Sequence, residues 1–310
     1  MADKLDICVT MVVVNWNAGE HLVSCVRSLF DQVDIDVDVV VVDNASSDCS
    51  LDGLAVFGNR VQVVQTGENL GFGRGVNRGV AVSDAPFVVV LNPDVVLNKD
   101  AVQTMVSFLN QRPDVGIVGP RLKDADGHVR ASCGFAPRLV DEICRKFLLH
   151  LVFPLFKFRR TCPPKNTKVH WVTGACFAAR RDAFSTTGGL DEAIFMYYED
   201  VDFGLRLQNE GWQVWYLPDA VGMHVGGESS KQALTRMLVV SEASYGYLIH
   251  KHLGHWSAFL LLCLRPIEMV LRSLIWSVVF LLQPNRRVEA RARLRAYFLI
   301  LTGGVAKEAV

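Results

Sequence analysis

Ile7-Cys-Val-Thr-Met-Val-Val-Val-Asn15 is an apolar, largely β-branched run closed abruptly by a polar residue. Such a run predicts a strand buried on both faces of a parallel sheet, because a half-exposed strand would alternate apolar with polar residues. Val37–Val42, Phe87–Leu91 and Val115–Val118 have the same texture, while Glu20–Phe30 and Lys99–Gln111 between them have helical character. Alternation of strand and helix predicts an α/β fold, with a mainly parallel sheet flanked by helices on both faces. In sheets of this kind, ligands bind beyond the carboxyl ends of the strands. Asn15, Asp43, and Asn92 with Asp94 directly follow such runs, so they come first as candidate site residues.

Further along, the texture changes. Ile143–Arg160 mixes phenylalanine, leucine and valine with Arg145, Lys146, Lys157, Arg159 and Arg160, and Pro163-Pro164 follows. The α/β pattern resumes with a strand at Val169–Ala179, a helix from about Glu199 and a strand at Gln213–Leu217. From Ser229 the chain reads as helical.

Half of the 310 residues are hydrophobic and 21% are charged, which suits a protein that buries much surface or touches lipid. The formal net charge is zero, so a nucleic-acid partner has no global electrostatic support. The eight cysteines are scattered without a C-x-x-C pair, which argues against a zinc site or a disulfide framework and for reduced thiols. The first apolar run follows Asp3, Lys4 and Asp6. It is too short to be a signal peptide or a membrane span, which places the catalytic part in the cytoplasm.

Each candidate residue has two readings. Asp43 leads into Asn44-Ala-Ser-Ser-Asp48, where a carboxylate accepts hydrogen bonds from a base or ribose, or equally caps a turn. Asn92-Pro-Asp94 places a carboxylate suited to magnesium or manganese shared with phosphates, and in isolation is an ordinary turn. Asn69-Leu-Gly-Phe-Gly-Arg-Gly75 is glycine-rich before a helix, but a dinucleotide fingerprint would need a third glycine at Val76. A glycine loop lying close to a phosphate or sugar stays open. Tyr197-Tyr-Glu-Asp-Val-Asp202 crowds three carboxylates at a helix start, where the dipole favours their ionised form. An ionised carboxylate beside a sugar is a candidate general base, while charge complementarity at the helix end would also account for Glu199 or Asp202. The adjoining tyrosines suit a sugar ring or simple packing. His224 gains meaning only once a metal is implied.

Taken in order, several segments resemble the family 2 glycosyltransferases, which have the GT-A fold: Val12-Val-Val-Asn-Trp-Asn17, Val41-Val-Asp-Asn-Ala-Ser-Ser47, Asn69-Leu-Gly-Phe72, Leu91-Asn-Pro-Asp-Val95, Val172-Thr-Gly-Ala175, Gly189-Leu-Asp191 and Tyr198-Glu-Asp-Val-Asp-Phe203. The resemblance runs from about Ile7 to Gly227 and is greatest to the rhamnosyltransferase-like branch. It implies that Asn15, Asn17, Asp43, Asn69, Gly71, Arg74, Asn92 and Asp94 line the nucleotide-sugar site, with Asp43 reading a pyrimidine base. It further implies that Asp94 and His224 hold Mg2+ or Mn2+ on the diphosphate, and that Asp200 is the catalytic base with Glu199 as the second candidate. The common Asp-x-Asp motif has Asn92 at its first position here. The missing carboxylate often contacts the ribose, so a dTDP-sugar is compatible as donor, with a UDP-sugar as the other pyrimidine choice. The implied activity is inverting transfer of L-rhamnose from dTDP-rhamnose to a polyprenyl-diphosphate-linked sugar, in cell-wall or surface polysaccharide assembly. Two other readings are sugar-nucleotide synthesis and a non-catalytic scaffold. The first would call for a glycine- and basic-rich nucleotide loop near the N-terminus, which is absent; the intact acidic and histidine set speaks against the second.

Trp256–Leu282 is apolar but interrupted by Arg265, Glu268 and Arg272. Charges at the centre of a spanning helix are costly, so two amphipathic segments lying in the membrane interface are expected, with Trp256 and Trp276 near the headgroups. Arg286, Arg287, Arg291, Arg293 and Arg295 then suit anionic lipid or a lipid diphosphate. A buried homo-oligomer interface is the other reading of the same surface. The expected organisation is a catalytic domain over 1–228, with a basic, apolar insertion at 143–165 on the acceptor side, and a membrane-association region over 229–310. The expected location is peripheral, at the cytoplasmic face of the plasma membrane.

Overall fold

The computed structural model describes residues 8–149, 160–226 and 233–303. The N-terminal charges, residues 150–159 of the insertion and the domain boundary near Ser229 lie outside the described residues. Two compact units divide the chain. One comprises Met1–Ala136, Arg160–Ala193 and Glu199–Ser229, and the other Pro137–Arg159, Ile194–Tyr198 and Ser230–Val310. The stretch assigned to an insertion therefore groups, up to Arg159, with the C-terminal helices.

Among the described residues the first unit carries thirteen strands. They are β1 (Cys8–Asn15), β2 (Asp36–Asp43), β3 (Val61–Gln65), β4 (Phe87–Leu91), β5 (Val95–Leu97), β6 (Val115–Lys123), β7 (Val129–Arg130), β8 (Cys133–Gly134), β9 (Arg160–Thr161), β10 (Thr167–Val169), β11 (Trp171–Val172), β12 (Cys176–Arg180) and β13 (Gln213–His224). The main sheet has the order β10-β13-β6-β12-β4-β1-β2-β3, with β5 on β13 and β7 on β6, while β11-β8-β9 form a small second sheet. Strands β3, β2, β1 and β4 run parallel; β12 enters antiparallel between β4 and β6.

The β-branched runs are continuous because both faces of the sheet are covered. Successive side chains of a strand point to opposite faces, and β1 shows the division. Val9, Met11 and Val13 pack in one core with Leu22, Cys25, Val26 and Leu29 of helix α1 (His21–Phe30). Val12 and Val14 pack in the other core with Phe72, Val76 and Val80 of helix α2 (Phe72–Ala81). Helix α3 (Ala101–Gln111) joins the first face, and α5 (Arg181–Thr186) and α6 (Glu199–Asn209) the second; α4 (Leu139–Lys146) belongs to the helical unit.

Glycine explains how closely α2 approaches the sheet. A Cβ at Gly79 would lie 2.3 Å from Val12 Cγ1, and one at Gly75 2.8 Å from Val14 Cγ1. Gly75, the last glycine of that stretch, and Gly79 beyond it thus serve helix–sheet packing. All eight cysteines are free; Cys25, Cys133, Cys144 and Cys176 are buried.

Two expected strands differ in outline. Val169–Ala179 is divided into β10, β11 and β12: at His170 the chain passes from the main sheet to the small one, and the Thr173-Gly-Ala175 segment separates β11 from β12. Strand β13 continues past Leu217 to His224, with a register shift between Leu217 and Val221 that accommodates Pro218.

The helical unit contains α4, α7 (Leu234–Leu282) and α8 (Arg287–Leu301). Gly254, at φ 81° and ψ 172°, breaks α7 into two segments. Among the described residues no helix is long and apolar enough to cross a membrane.

Candidate active site

The carboxyl ends of β2, β1 and β4 lie side by side, and each releases a polar residue. Asn15 and Asp43 end their strands in register and are buried. Asn15 Nδ2 donates to Asp43 Oδ1 at 2.8 Å, to Ser46 Oγ at 3.0 Å and to Ser50 Oγ at 2.9 Å. Asp43 also accepts from Ser46 Oγ at 2.6 Å and Ser46 N at 3.2 Å, which makes it a turn organiser as well as a candidate base contact. Asn17, at φ 50°, locks the same turn by accepting from Ser47 N at 2.8 Å. Asn69 Oδ1 accepts from Gly71 N at 3.0 Å, and Asn44 Nδ2 donates to Gly71 O at 3.0 Å. The Asn69–Gly71 turn is thereby tied to the residue after Asp43.

Arg74 is not drawn into this group. It is half exposed on α2, where it donates to Glu192 O at 3.1 Å.

Beyond β4, Asn92 N donates to Ala175 O at 2.9 Å, while its side-chain amide has no hydrogen bond among the described residues. Asp94 and His224 are brought together across β5 and β13, where His224 pairs with Val95. His224 Nε2 lies 3.3 Å from Asp94 Oδ1, and Gly226 N donates to Asp94 Oδ2 at 2.9 Å. Burial alone would raise the Asp94 pKa; the hydrogen bond and charge of His224, with Gly226, outweigh it and hold the carboxyl below the usual range. The donor pair fits a divalent ion. Neighbouring ligands of an octahedral ion bound at about 2.1 Å are about 3 Å apart. With a carboxylate and an imidazole supplied by the protein, the remaining positions suit water and phosphate oxygens. Strands β2 and β4, separated by β1, end about 10 Å apart at the usual strand spacing, a span that a nucleoside diphosphate can bridge.

The acidic cluster at the start of α6 separates into three environments. Asp202 is buried and accepts from Arg206 Nε at 2.7 Å, and Arg206 also donates to the carbonyls of Thr187 at 2.6 Å and Gly189 at 2.7 Å. This carboxylate holds a loop in place. Asp200 Oδ2 accepts from Gly174 N at 2.9 Å. Glu199 is buried, and its Oε2 has no hydrogen-bond partner among the described residues. Burial first, and the charge of Asp200 second, push the Glu199 pKa up to about 8. Glu199 is therefore protonated at neutral pH. In the helical unit, Tyr197 and Tyr198 have left-handed φ values of 68° and 69°, and the Tyr198 ring packs 5.8 Å from that of Tyr245. Tyr198 is thus engaged in packing.

Sequence reading missed two supports. Asn77 exchanges hydrogen bonds with Leu190, at 2.9 Å in each direction, and carries no local signal of that role. Arg206 did carry one, four residues beyond Asp202 on the same helix face. Asp124, largely buried, also lies with exposed Asp126 and His128 in a trio of metal-type donors. Asp124 there accepts from the backbone of Asp126 and His128 and pairs with Arg130, the pattern of a hairpin turn.

Residues 7–239 match the family model described as "Glycosyltransferase like family 2". An N-acetylglucosaminyl-diphospho-decaprenol L-rhamnosyltransferase of Mycobacterium tuberculosis is 31% identical over 289 residues, covering 88% of this chain and 92% of that one. The rhamnosyltransferase WbbL of Escherichia coli is 24% identical over 182 residues, covering 53% and 65%. Among solved structures, a mannosyltransferase from Pyrobaculum calidifontis in complex with GDP-Man and Mn2+ aligns with a TM-score of 0.52 at 16% identity, covering 97% of this chain and 86% of that one. At that identity the likeness is one of fold, and it is the GT-A fold. From its sheet, its strand-end carboxylates and the span of the match, the chain belongs to the family 2 glycosyltransferases and is an inverting glycosyltransferase.

Proposed function

We propose that the chain transfers L-rhamnose from dTDP-L-rhamnose to a polyprenyl-diphosphate-linked N-acetylglucosamine, with Asp200 as the general base. One observation carries the assignment of the base. Asn92 N is held by Ala175 O, and the adjacent Gly174 N is held by Asp200 Oδ2. Two hydrogen bonds thus fix the carboxylate of Asp200 relative to the turn that presents Asp94. Glu199 is a poorer base because burial keeps it protonated. The sugar and the acceptor follow the name of the mycobacterial relative, an N-acetylglucosaminyl-diphospho-decaprenol L-rhamnosyltransferase that matches 88% of this chain. Asn92 in place of a carboxylate also suits a donor whose ribose lacks the 2′-hydroxyl.

Departure of a nucleoside diphosphate builds negative charge on its leaving oxygens. Asp94 and His224 would hold a divalent ion at that diphosphate, where it supplies charge neutralisation; the imidazole nitrogen favours manganese over the harder magnesium. Asp200 accepts the proton of the acceptor hydroxyl as that oxygen attacks the anomeric carbon from the face opposite the leaving group. The ionised form is the one required, and the start of α6 stabilises it through the helix dipole. A water-soluble donor and a lipid-borne acceptor meet at a membrane surface, and we place the reaction at its cytoplasmic face.

A thermal-shift series with dTDP, UDP and GDP, each with Mg2+ or Mn2+, tests the donor. The reading expects the largest shift with dTDP and Mn2+. At a hundredfold excess over Kd, binding stabilises by about 2.7 kcal/mol, which amounts to several degrees for a domain of this size. A larger shift with UDP would move the donor to a UDP-sugar. No metal-dependent shift with any pyrimidine nucleotide would overturn the site.

A further inference from the structure

The helical unit carries its charges on the inside. Glu268, 1% exposed, pairs with Arg145 at 2.8 Å, Lys146 at 2.8 Å and Arg272 at 3.0 Å. Glu242 pairs with Arg265 at 2.9 Å and Lys146 at 3.6 Å, and Glu142 with Arg145 at 3.0 Å. Lys146 is itself 1% exposed. Arg265, Glu268 and Arg272, which interrupt the apolar helix in sequence, thus turn inward to ionic partners.

The opposite face of the helix is apolar and open. Beyond Gly254 the exposed side chains include Trp256 at 86%, Phe259, Val270, Leu274, Val278 and Leu281. Their spacings of three, four and eleven residues lie close to whole helical turns, so they share a face. A helix at a water surface has the reverse arrangement, with its apolar stripe on the core. An apolar face of this length marks a binding surface rather than the scattered exposure of ordinary proteins.

We infer that this face docks on the surface of an anionic lipid bilayer. Charge selects that occupant. Arg286, Arg287, Arg291 and Arg295, which follow the apolar segment, are exposed. The only carboxylates between Gly254 and Gly303 are Glu268, buried in its network, and Glu289, held by Arg286 and Arg293 at 2.9 Å. A symmetric self-contact through this face would bring arginine toward arginine, whereas anionic headgroups complement the set. The guanidinium groups of Arg287 and Arg291 lie 5.6 and 5.4 Å from the Phe280 ring centroid, and those of Arg286 and Arg293 lie 4.9 and 4.4 Å from that of Trp276. Charged groups resting on aromatic rings beside an apolar face suit a lipid–water boundary. The inference rests on the helical unit alone and requires neither donor nor acceptor.

Detergent-free flotation of the full chain tests it, with vesicles of phosphatidylcholine alone or mixed with phosphatidylglycerol. The chain is expected to float with the mixed vesicles at least tenfold better than with the neutral ones. Each of Arg287→Gln, Arg291→Gln and Arg295→Gln is expected to lower partition roughly fivefold at low salt, the effect of one charge near an anionic surface. Wild-type tryptophan emission is expected to shift to the blue on binding, and Trp256→Phe, a change that leaves the buried network intact, to remove most of that shift. Equal partition to both vesicle types, or no flotation, overturns the inference. A lipid-free dimer that Trp256→Ser dissociates, together with no flotation of wild type, assigns the face to a second copy and overturns it as well.

Discussion

Asp43, Asp94 and Asp200 stand at the polar end of a sheet whose interior is apolar, whereas Glu268 and Lys146 lie at the centre of helices whose outer face is apolar. The sheet unit follows the rule for a protein in water: its carboxylates gather where strands end and backbone groups are free to hold them. The helical unit inverts the rule. Desolvating its ions costs several kcal/mol each before pairing offsets it. That arrangement is reasonable where the outside of the helices meets an apolar medium. The same residue types thus have different surroundings: held at the ends of strands and at a helix start in one unit, neutralised by ionic partners in the other.

Removing a strand-end carboxylate should affect ligand binding far more than folding. Asp94→Ala is expected to weaken metal-dependent nucleotide binding roughly a hundredfold, from the several kcal/mol that a bound metal contributes, while its melting temperature without nucleotide stays near wild type. Calorimetric titration with and without Mn2+ checks this, and equal affinities would remove Asp94 from the metal site. In the helical unit the balance should reverse. Glu268→Gln leaves three cations without their shared anion and is expected to destabilise by about 3–5 kcal/mol, read by chemical denaturation. A loss below about 1 kcal/mol, the range of surface pairs, would mean that the network is solvated and the contrast false.

Smaller effects sharpen the sheet side. Gly79→Ala sets a methyl group against Val12 and is expected to cost about 1–3 kcal/mol by overpacking, measured in the same denaturation series; a neutral result would show that α2 has room to shift. Glu199→Gln probes a buried acid. Its pKa in the folded chain is about 8 against an ordinary 4.5, so between those values the folded state holds a proton that the unfolded state lacks. Stability then falls as pH rises from about 4.5 to about 8, by the linkage of proton binding to folding. The variant should lose this slope and be more stable than wild type at pH 8. Parallel pH profiles of melting temperature would contradict the protonated state of Glu199.

Much of this was legible in the sequence because the sheet is buried on both faces. Val39–Val42 and Phe87–Leu91 admit no polar residue, so each strand end is announced by the first one, and Asp43 and Asn92 could be picked out directly. Strand β3 escaped notice because it lies at the sheet edge and mixes glutamine with valine, which blurs the apolar run. The glycine stretch after Asn69 stayed open for another reason: composition cannot tell a glycine that lies close to a phosphate from one, such as Gly75, that lies close to Val14. The family resemblance placed Asp200 ahead of Glu199, but the physical difference between them was hidden, since burial of one carboxyl and a backbone hydrogen bond to the other are tertiary properties. The charges interrupting Trp256–Leu282 argued against a spanning helix. Two of the partners of Glu268, Arg145 and Lys146, lie more than a hundred residues away, and only folding joins them.

The central claim concerns the base, and transfer by Asp200→Asn tests it most directly. The assay follows rhamnose from dTDP-L-rhamnose onto a short-chain polyprenyl-diphosphate N-acetylglucosamine, beside calorimetric binding of dTDP. The account predicts an inverted product from the wild type, a fall of about 10²–10⁴-fold in the variant, and unchanged dTDP affinity. A variant that transfers at the wild-type rate with its dTDP affinity intact would contradict it.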